Sequence, residues 1–540
     1  MNTISLSQKD IKFHPWDWVT FSESQIINSI TEGNEYIYFA TNGGILRYNF
    51  FGNYWDYPIS TSQGLNSNFV NSIYYDLNTN ILWASTKNTL HYSNNKGESW
   101  NQINNVNFDN INRIGGDKEY LYCVNNSFII KINNFSGDII EYLTKINQYD
   151  KIRWSSQIIL DIDIIKNKIN NFAFLDGWYF NANNYIVGPK LSDKHKITTF
   201  FSDSFGDIWI GTNKGYVFKG SNQLLILELV YKGLTISNIS DLKIWKNKLW
   251  ISGNNQYNLE SSINLFNFND FKSEIFTSKN EINFNFNLIY KIKKILNEWY
   301  FLSFDGIQIF EPNKENWFFL NKSKKYFDYN YENSISNDDQ YIYLGNKNGI
   351  NRFDINSFEF NYWPVSQKIG NNPIEEIYWD GRNLWICSKM RIWRWVKEAD
   401  FLTEYASYNN NITTDFFRLE SPVESITSSN DKIFFAEKTN LLIIDKTNFT
   451  WKRVKYNRKL ISAKVFEIEY FKHNQKEEII WFATNKGVFL INLSKKYQLD
   501  FEDKNGLSSN FVSSIEIINN EIWFGTSSGL CRFNWINNLK

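Results

Sequence analysis

The chain has 540 residues, with 57 basic and 57 acidic side chains and a formal net charge of +0. Balanced charge offers no bulk attraction to nucleic acid or to an anionic membrane surface, so neither partner is expected. Aromatic residues make up 18% of the chain, which excludes a disordered polymer and requires extensive burial.

In chain order, the first strand-like segment is "WDWVTF" at residues 16–21, which has no partner nearby in sequence. Next comes "YFATNGG", in which an aromatic, Tyr38, is followed six residues later by Gly44. Two short β-rich runs around a polar, glycine-containing turn predict a hairpin. The same unit recurs as Trp209/Gly215, Tyr300/Gly306, Tyr343/Gly349, Trp481/Gly487 and Trp523/Gly529. Degenerate copies are centred on Trp83, Tyr122, Trp250, Trp385 and Phe434. Anchor spacing is 39 to 50 residues, except that Tyr122 and Trp209 stand two units apart. A divergent copy is expected there, around "NFAFLDGWYFNANNYIVG", which brings the count to twelve.

The residue two positions after the anchor is usually small, as at Ala40, Gly211, Gly345, Ala483 and Gly525. Side chains at i and i+2 share a face of a strand, so large beside small suits a wedge-shaped sheet tapering toward an axis. A further strand follows the hairpin ("NYWDYP", "ENWFFL"), then a linker ("GLNSNFV" at 64–70, "GLSSNFV" at 506–512), then another apolar run. Four strands in about 44 residues is the size of a β-propeller blade. The "GLxSNFVxSI" phrase is read as the crossover between blades, with Gly supplying positive φ and Ser and Asn bonding to local backbone.

The fold class expected is therefore all-β, a β-propeller of about twelve four-stranded blades. Twelve exceed one typical ring, so two tandem propellers are expected, over residues 1–275 and 276–540, as six plus six blades or seven plus five. Separately closed rings would pair residues 16–21 with the Trp250 blade. If instead the termini meet, that strand lies beside Trp523 and one ring is built from both ends.

The motif "iW(F/I)(G/A)T(N/S)xG(l/v)xRf" together with "GLxSNFVxSI" resembles the two-component regulator propeller repeat, strongest over 36–92, 205–235, 341–363 and 479–534. The resemblance implies the sensor region of bacterial hybrid histidine kinases and an extracytoplasmic, non-enzymatic binding role. The sequence departs from that architecture in showing no kinase region and no transmembrane segment, so a detached sensor module is one expectation. Its first 19 residues lack a basic stretch followed by an apolar core, so no signal peptide is read there. A smaller likeness, "SNNKGESW" at 93–100, is similar to the Asp-box hairpin turn of sialidase-type propellers, with Asn95 and Ser99 in place of Asp and Thr.

The chemistry-bearing residues are scattered. Cys123, Cys387 and Cys531 form no CxxC pair and the four histidines are isolated, so no disulfide framework, metal or cofactor is expected. Arg47, Arg352 and Arg532 recur after the hairpin turn and are binding candidates, although recurrence favours salt-bridged strand residues. Trp178, Tyr179 and Tyr185, in the divergent unit, offer an aromatic platform for a sugar or peptide, with ordinary core as the alternative. Asp161 and Asp163, in "LDIDII", alternate as on a half-buried strand. No catalytic motif is present, and the leading expectation is a binding or scaffold protein for a protein or polysaccharide ligand. The alternative is a polysaccharide lyase or glycoside hydrolase, which needs converging carboxylates or a Tyr with Arg or His at an axial mouth.

Overall fold

A computed structural model describes residues 3–4, 7–8, 13–103, 108–146, 149–156, 162–181, 183–189, 194–255, 261–277, 283–284, 288–321, 332–357, 359, 361–407, 417–519 and 521–535. The hairpins form at the register their turns dictate: Thr41 pairs with Gly44, Thr484 with Gly487 and Thr526 with Gly529. In each turn the threonine hydroxyl donates to the glycine carbonyl, at 2.9, 2.7 and 2.8 Å. The same hydroxyl accepts a backbone N–H two residues on, at 2.9 to 3.0 Å. The glycine has φ of 115° at Gly44 and 117° at Gly529, and a Cβ there would lie 2.5 to 2.6 Å from the carbonyl of the outer strand. Positive φ and close approach together explain why the repeat is written T-x-x-G.

The hairpins seed eleven sheets among the described residues, one fewer than the units counted in sequence. We number these blades by chain order: 27–59, 72–102, 113–143, 194–232, 238–276, 289–321, 332–354, 376–407, 423–455, 465–501 and 512–534. The divergent segment adds to blade 4 and makes no blade of its own. Its hairpin Tyr179–Asn181 and Tyr185–Val187 pairs with the inner strand Lys194–Ser202, and Ala173–Phe174 runs parallel to the outer strand Ile226–Lys232. Residues 162–169 are helical, contrary to the strand expected over 160–165. Ile165 and Ile169, four apart, face the core, and a helix buries that spacing on one side. Asp163 is exposed on this helix, and Asp161 lies outside the described residues.

Inner-strand neighbours define two closed circuits. The inner strand of blade 1, Ile27–Glu32, lies against those of blades 2 and 4, and blade 2 lies against blade 3. Between blades 3 and 4 the segment Arg153–Trp154 pairs antiparallel with Arg113–Gly116. Ser156 completes the closure: its hydroxyl accepts from the Ile30 N–H at 2.7 Å and from Thr199 Oγ1 at 2.6 Å. Blades 5 to 11 form the second circuit, the inner strand of blade 5, Asn238–Trp245, lying between those of blades 6 and 11.

The strand Trp18–Phe21 is the outer strand of blade 11, with Trp18 paired to Phe533 and Thr20 to Cys531. The termini therefore meet, and the second circuit is built from both ends of the chain. This replaces the pairing with the Trp250 blade, and the inner-strand contacts change circuit between residues 232 and 238 rather than at 275/276. The cause is apolar complementarity: Trp18 stacks on Phe533 at 4.1 Å and 14° and is 2% exposed. A shared core then joins the circuits, with Tyr57 of blade 1 5.4 Å from Phe271 of blade 5, and with Phe21, Phe266, Trp55, Trp209, Tyr231 and Trp523 in the same cluster.

Candidate functional site

Except for Arg113–Gly116 and Lys194–Ser202, which pair with Arg153–Trp154 and Tyr185–Val187, each inner strand leaves its axial edge without a neighbouring strand among the described residues, so its N–H groups need other acceptors. Side chains of the preceding blade supply them. Ser29 Oγ accepts from Ile73 at 3.4 Å, Ser425 Oγ from Ile468 at 3.2 Å, Glu467 Oε2 from Ile515 at 2.8 Å and Asp241 Oδ2 from Ile292 at 2.7 Å. Just before this level a β-bulge inserts one extra residue, which turns toward the axis at the crossover face. Thr198 donates from there to the Ile27 carbonyl at 2.7 Å, Asn28 to Val70 at 2.8 Å and Ser513 to Ile239 at 2.7 Å.

In the four-blade circuit these residues line a crater of about 570 Å³. Its walls carry Asn28, Asn71, Asn112, Asn126, Lys196 and Asn213, over Ile27, Ile111 and Ile197. One end of each amide is committed. The amide nitrogens of Asn28 and Asn71 donate to carbonyls, the latter to Thr86 at 3.1 Å, which leaves their Oδ1 atoms as acceptors. Asn213 Oδ1 accepts from the Lys196 N–H at 2.8 Å, which leaves its Nδ2 as a donor. Asn112 Nδ2 donates to Asn126 Oδ1 at 3.0 Å, leaving one acceptor and one donor. Donors and acceptors are thus mixed around an apolar floor, and among the described residues no carboxylate belongs to the lining. Deeper along the axis Arg153 spans the circuit, donating to Tyr75 O at 3.1 Å and Glu32 O at 3.0 Å and pairing with Glu32 Oε2 at 3.4 Å.

The seven-blade axis is charged. The inner-strand residues paired opposite the anchor aromatics are Lys243, Lys293, Ser336, Tyr378, Thr427, Glu469 and Glu516. Two residues earlier on their strands stand Asp241, Lys291, Glu376 and Glu467. Lys243 pairs with Glu516 and, at 3.3 Å, with Glu467. Burial opposes its charge, yet Glu467, Glu516 and Asp241 hold its ammonium well above the usual lysine range. Lys291 reaches Glu376 at 4.0 Å. Burial, with Glu516 alongside, pushes the Glu469 carboxyl up to about 8.

The residues singled out from sequence lie elsewhere and are not brought together. Arg47 is buried, donates to Tyr57 O at 3.0 Å, pairs with Asp56 at 3.3 Å and covers Trp16 at 4.5 Å. Arg352 bonds to Asn361 and covers Tyr341 at 4.1 Å. Arg532 pairs with Glu521 and covers Tyr57 at 4.8 Å, across the junction of the circuits. Trp178 packs edge-on against Phe218 at 5.1 Å, Tyr179 is exposed and Tyr185 is half-buried in the added hairpin. The box at 93–100 holds a turn: Asn95 Oδ1 accepts from the Ser99 N–H at 3.1 Å and Ser93 Oγ from Gly97 at 2.9 Å. Sequence reasoning missed the axial residues because they sit on the first strand of each blade, outside the hairpin that defines the repeat. Their trace was a polar residue on either side of an apolar one, as in "DLK", "EIE" and "SIE".

Fold and axial geometry define an all-β protein of two joined β-propeller circuits. No family profile and no curated protein matches the chain. Among solved structures it is similar to the extracellular domain of the putative hybrid two component system BT3049 from B. thetaiotaomicron, at 17% identity and TM-score 0.45, over 95% of this chain and 82% of that one. The corresponding domain of BT4673 from the same organism gives 11% identity and TM-score 0.44, over 93% and 69%. PorZ, a surface component of the type-IX secretion system of Porphyromonas gingivalis, gives 12% and 0.36, over 96% and 87%.

Proposed function

We propose that this chain is a non-enzymatic recognition protein that holds a polysaccharide segment in the crater of the four-blade circuit. One observation carries the reading: the amides of Asn28, Asn71, Asn112, Asn126 and Asn213 are each fixed at one end by the backbone or by a neighbouring amide, which leaves the other end for the axis. Sugar hydroxyls donate and accept at once, so alternating fixed donors and acceptors match them, and the isoleucine floor suits the apolar face of a pyranose ring. The pre-set amides lower the ordering cost of binding. The absence of a carboxylate from the lining supports recognition over hydrolysis, which needs a carboxylate pair. By the repeat resemblance, the protein works outside the cytoplasm as a sensor or scaffold.

Purified protein on an array of bacterial and algal polysaccharides, with reducing ends assayed in the same wells, tests this. Binding without new ends, weakened about tenfold by Asn28→Ala or Asn112→Ala, is the result expected. New reducing ends would overturn it. Binding that survives both substitutions would move recognition away from the crater, and silence across the array would favour a protein partner.

A further inference from the structure

The seven-blade axis holds charges that the fold does not use up. Lys243 is engaged by Glu467 and Glu516, and Lys291 by Glu376. Lys293 and Glu469 occupy the same level, opposite Tyr300 and Trp481, and among the described residues neither makes a salt bridge or side-chain hydrogen bond. Their strands, Ile289–Ile295 and Val465–His473, are separated by two inner strands on one side and three on the other. In a closed circuit of seven that is the widest separation available, so the two charges face each other across the axis. The level between them is lined by hydroxyls, Ser336 and Thr427, each of which already accepts a backbone N–H, from Trp379 at 3.1 Å and Tyr470 at 3.4 Å. At the crossover face aromatic pairs flank the opening: Tyr290 with Phe304 at 5.2 Å, and Phe466 with Phe511 at 4.9 Å.

A lysine and a glutamate half-buried in the axis without a close ion-pair partner are costly to ionise, and a ligand carrying the complementary pair of charges offsets that cost. We infer that the seven-blade axis is a second ligand site, for a small zwitterion whose carboxylate meets Lys293 and whose ammonium meets Glu469. Burial and the repulsion of Lys243 and Lys291 lower the Lys293 ammonium, and burial and Glu516 raise the Glu469 carboxyl to about 8. At pH 7 Glu469 therefore holds a proton that an arriving ammonium expels, so binding is coupled to proton release.

The test is calorimetric titration of the full chain at pH 7 with ω-amino acids from glycine to 6-aminohexanoate, each compared with the amine and the carboxylate of matching length. The site predicts an optimum at one chain length, binding about tenfold tighter than either single-charge analogue, and close to one proton released, read from heats in two buffers of different ionisation enthalpy. Lys293→Met and Glu469→Gln should each weaken binding by about tenfold while the melting transition stays cooperative. Absence of heat from every member at about 10 mM, affinity that follows the amine or carboxylate alone, or binding without proton release would overturn the assignment. The length series and the proton count use the unaltered protein, so they decide the matter even if a substitution prevents folding.

Discussion

The hydroxyl of Ser62 donates to the carbonyl of Gly506 at 2.7 Å, so the turn that leads into the first copy of the crossover phrase, in one circuit, touches the second copy, in the other. Gly64 and Gly506 end matching 3₁₀ turns with φ of 103° and 115°. In each copy an asparagine carbonyl accepts the N–H that opens the turn, Thr61 to Asn68 at 2.8 Å and Asp503 to Asn510 at 2.9 Å.

Gly506 sits where this junction is tightest, since a Cβ there would lie 2.7 Å from Trp18 Cγ. Gly506→Ala should cost about 3 kcal/mol, from left-handed strain plus the clash with a buried indole. Gly381, with φ of 96° and nothing within 4 Å of its Cβ, is the control, and Gly381→Ala should cost about 1 kcal/mol. Urea unfolding of the two variants measures the difference. Equal losses would show that the Trp18 contact is not made.

Arg153 closes the four-blade axis against Glu32, which is 8% exposed and also accepts from the Ser204 N–H at 3.1 Å. Arg153→Ala leaves that carboxylate and two carbonyls short of donors and should cost about 3 kcal/mol. Arg153→Lys keeps the charge but not the fork and should recover about half of it. Chemical denaturation reads both, and a neutral Arg153→Ala would remove the plug from the account of the crater.

Glu469 gives the protein a pH signature. Its folded-state pKa, about 8, lies above that of an unfolded glutamate, because burial and Glu516 outweigh the help of Lys243, while Glu467 adds repulsion and Lys293 a little relief. Between these two values the folded state binds the extra proton, so the contribution is full at low pH and is lost as pH rises to about 8. Relative to Glu469→Gln, the wild type should lose stability steadily between about pH 5 and pH 8. Parallel stability curves for the two proteins would contradict the buried, proton-holding carboxyl.

Much of the fold was legible because local chemistry writes it. The T-x-x-G turns, the small residue beside each anchor and the Gly64 and Gly506 crossovers all follow from backbone geometry that few residues satisfy. The partner of Trp18 was not legible, since Phe533 and the Trp250 blade offer similar aromatic surfaces to a reader of sequence. Packing of Phe21 against Phe266 and Phe271 decides it, and that contact exists only once blades 5 and 11 meet as neighbours in the second circuit. The helix at 162–169 was hidden because Ile165 and Ile169 fit a helix while Asp161, Asp163 and their neighbours also fit a strand over so short a run. The crater asparagines carry no signal of their own in the sequence; their role appears only when four inner strands, two of them bulged at Asn28 and Thr198, meet at one axis.

Both axial sites exist only if the first circuit closes on itself and the N-terminal strand completes the second. Thr20 and Cys531 are paired across that final seam, with Thr20 Oγ1 3.7 Å from Cys531 Sγ. Paired antiparallel positions bring Cα atoms to about 5 Å, within disulfide reach. We would therefore oxidise the Thr20→Cys variant and run it unreduced on a denaturing gel beside the Thr20→Cys, Cys531→Ser double variant. The circuit assignment predicts a faster-migrating, internally cross-linked chain that reverts on reduction and is missing from the double variant. An unshifted band under oxidation would contradict it and return residues 16–21 to the Trp250 blade.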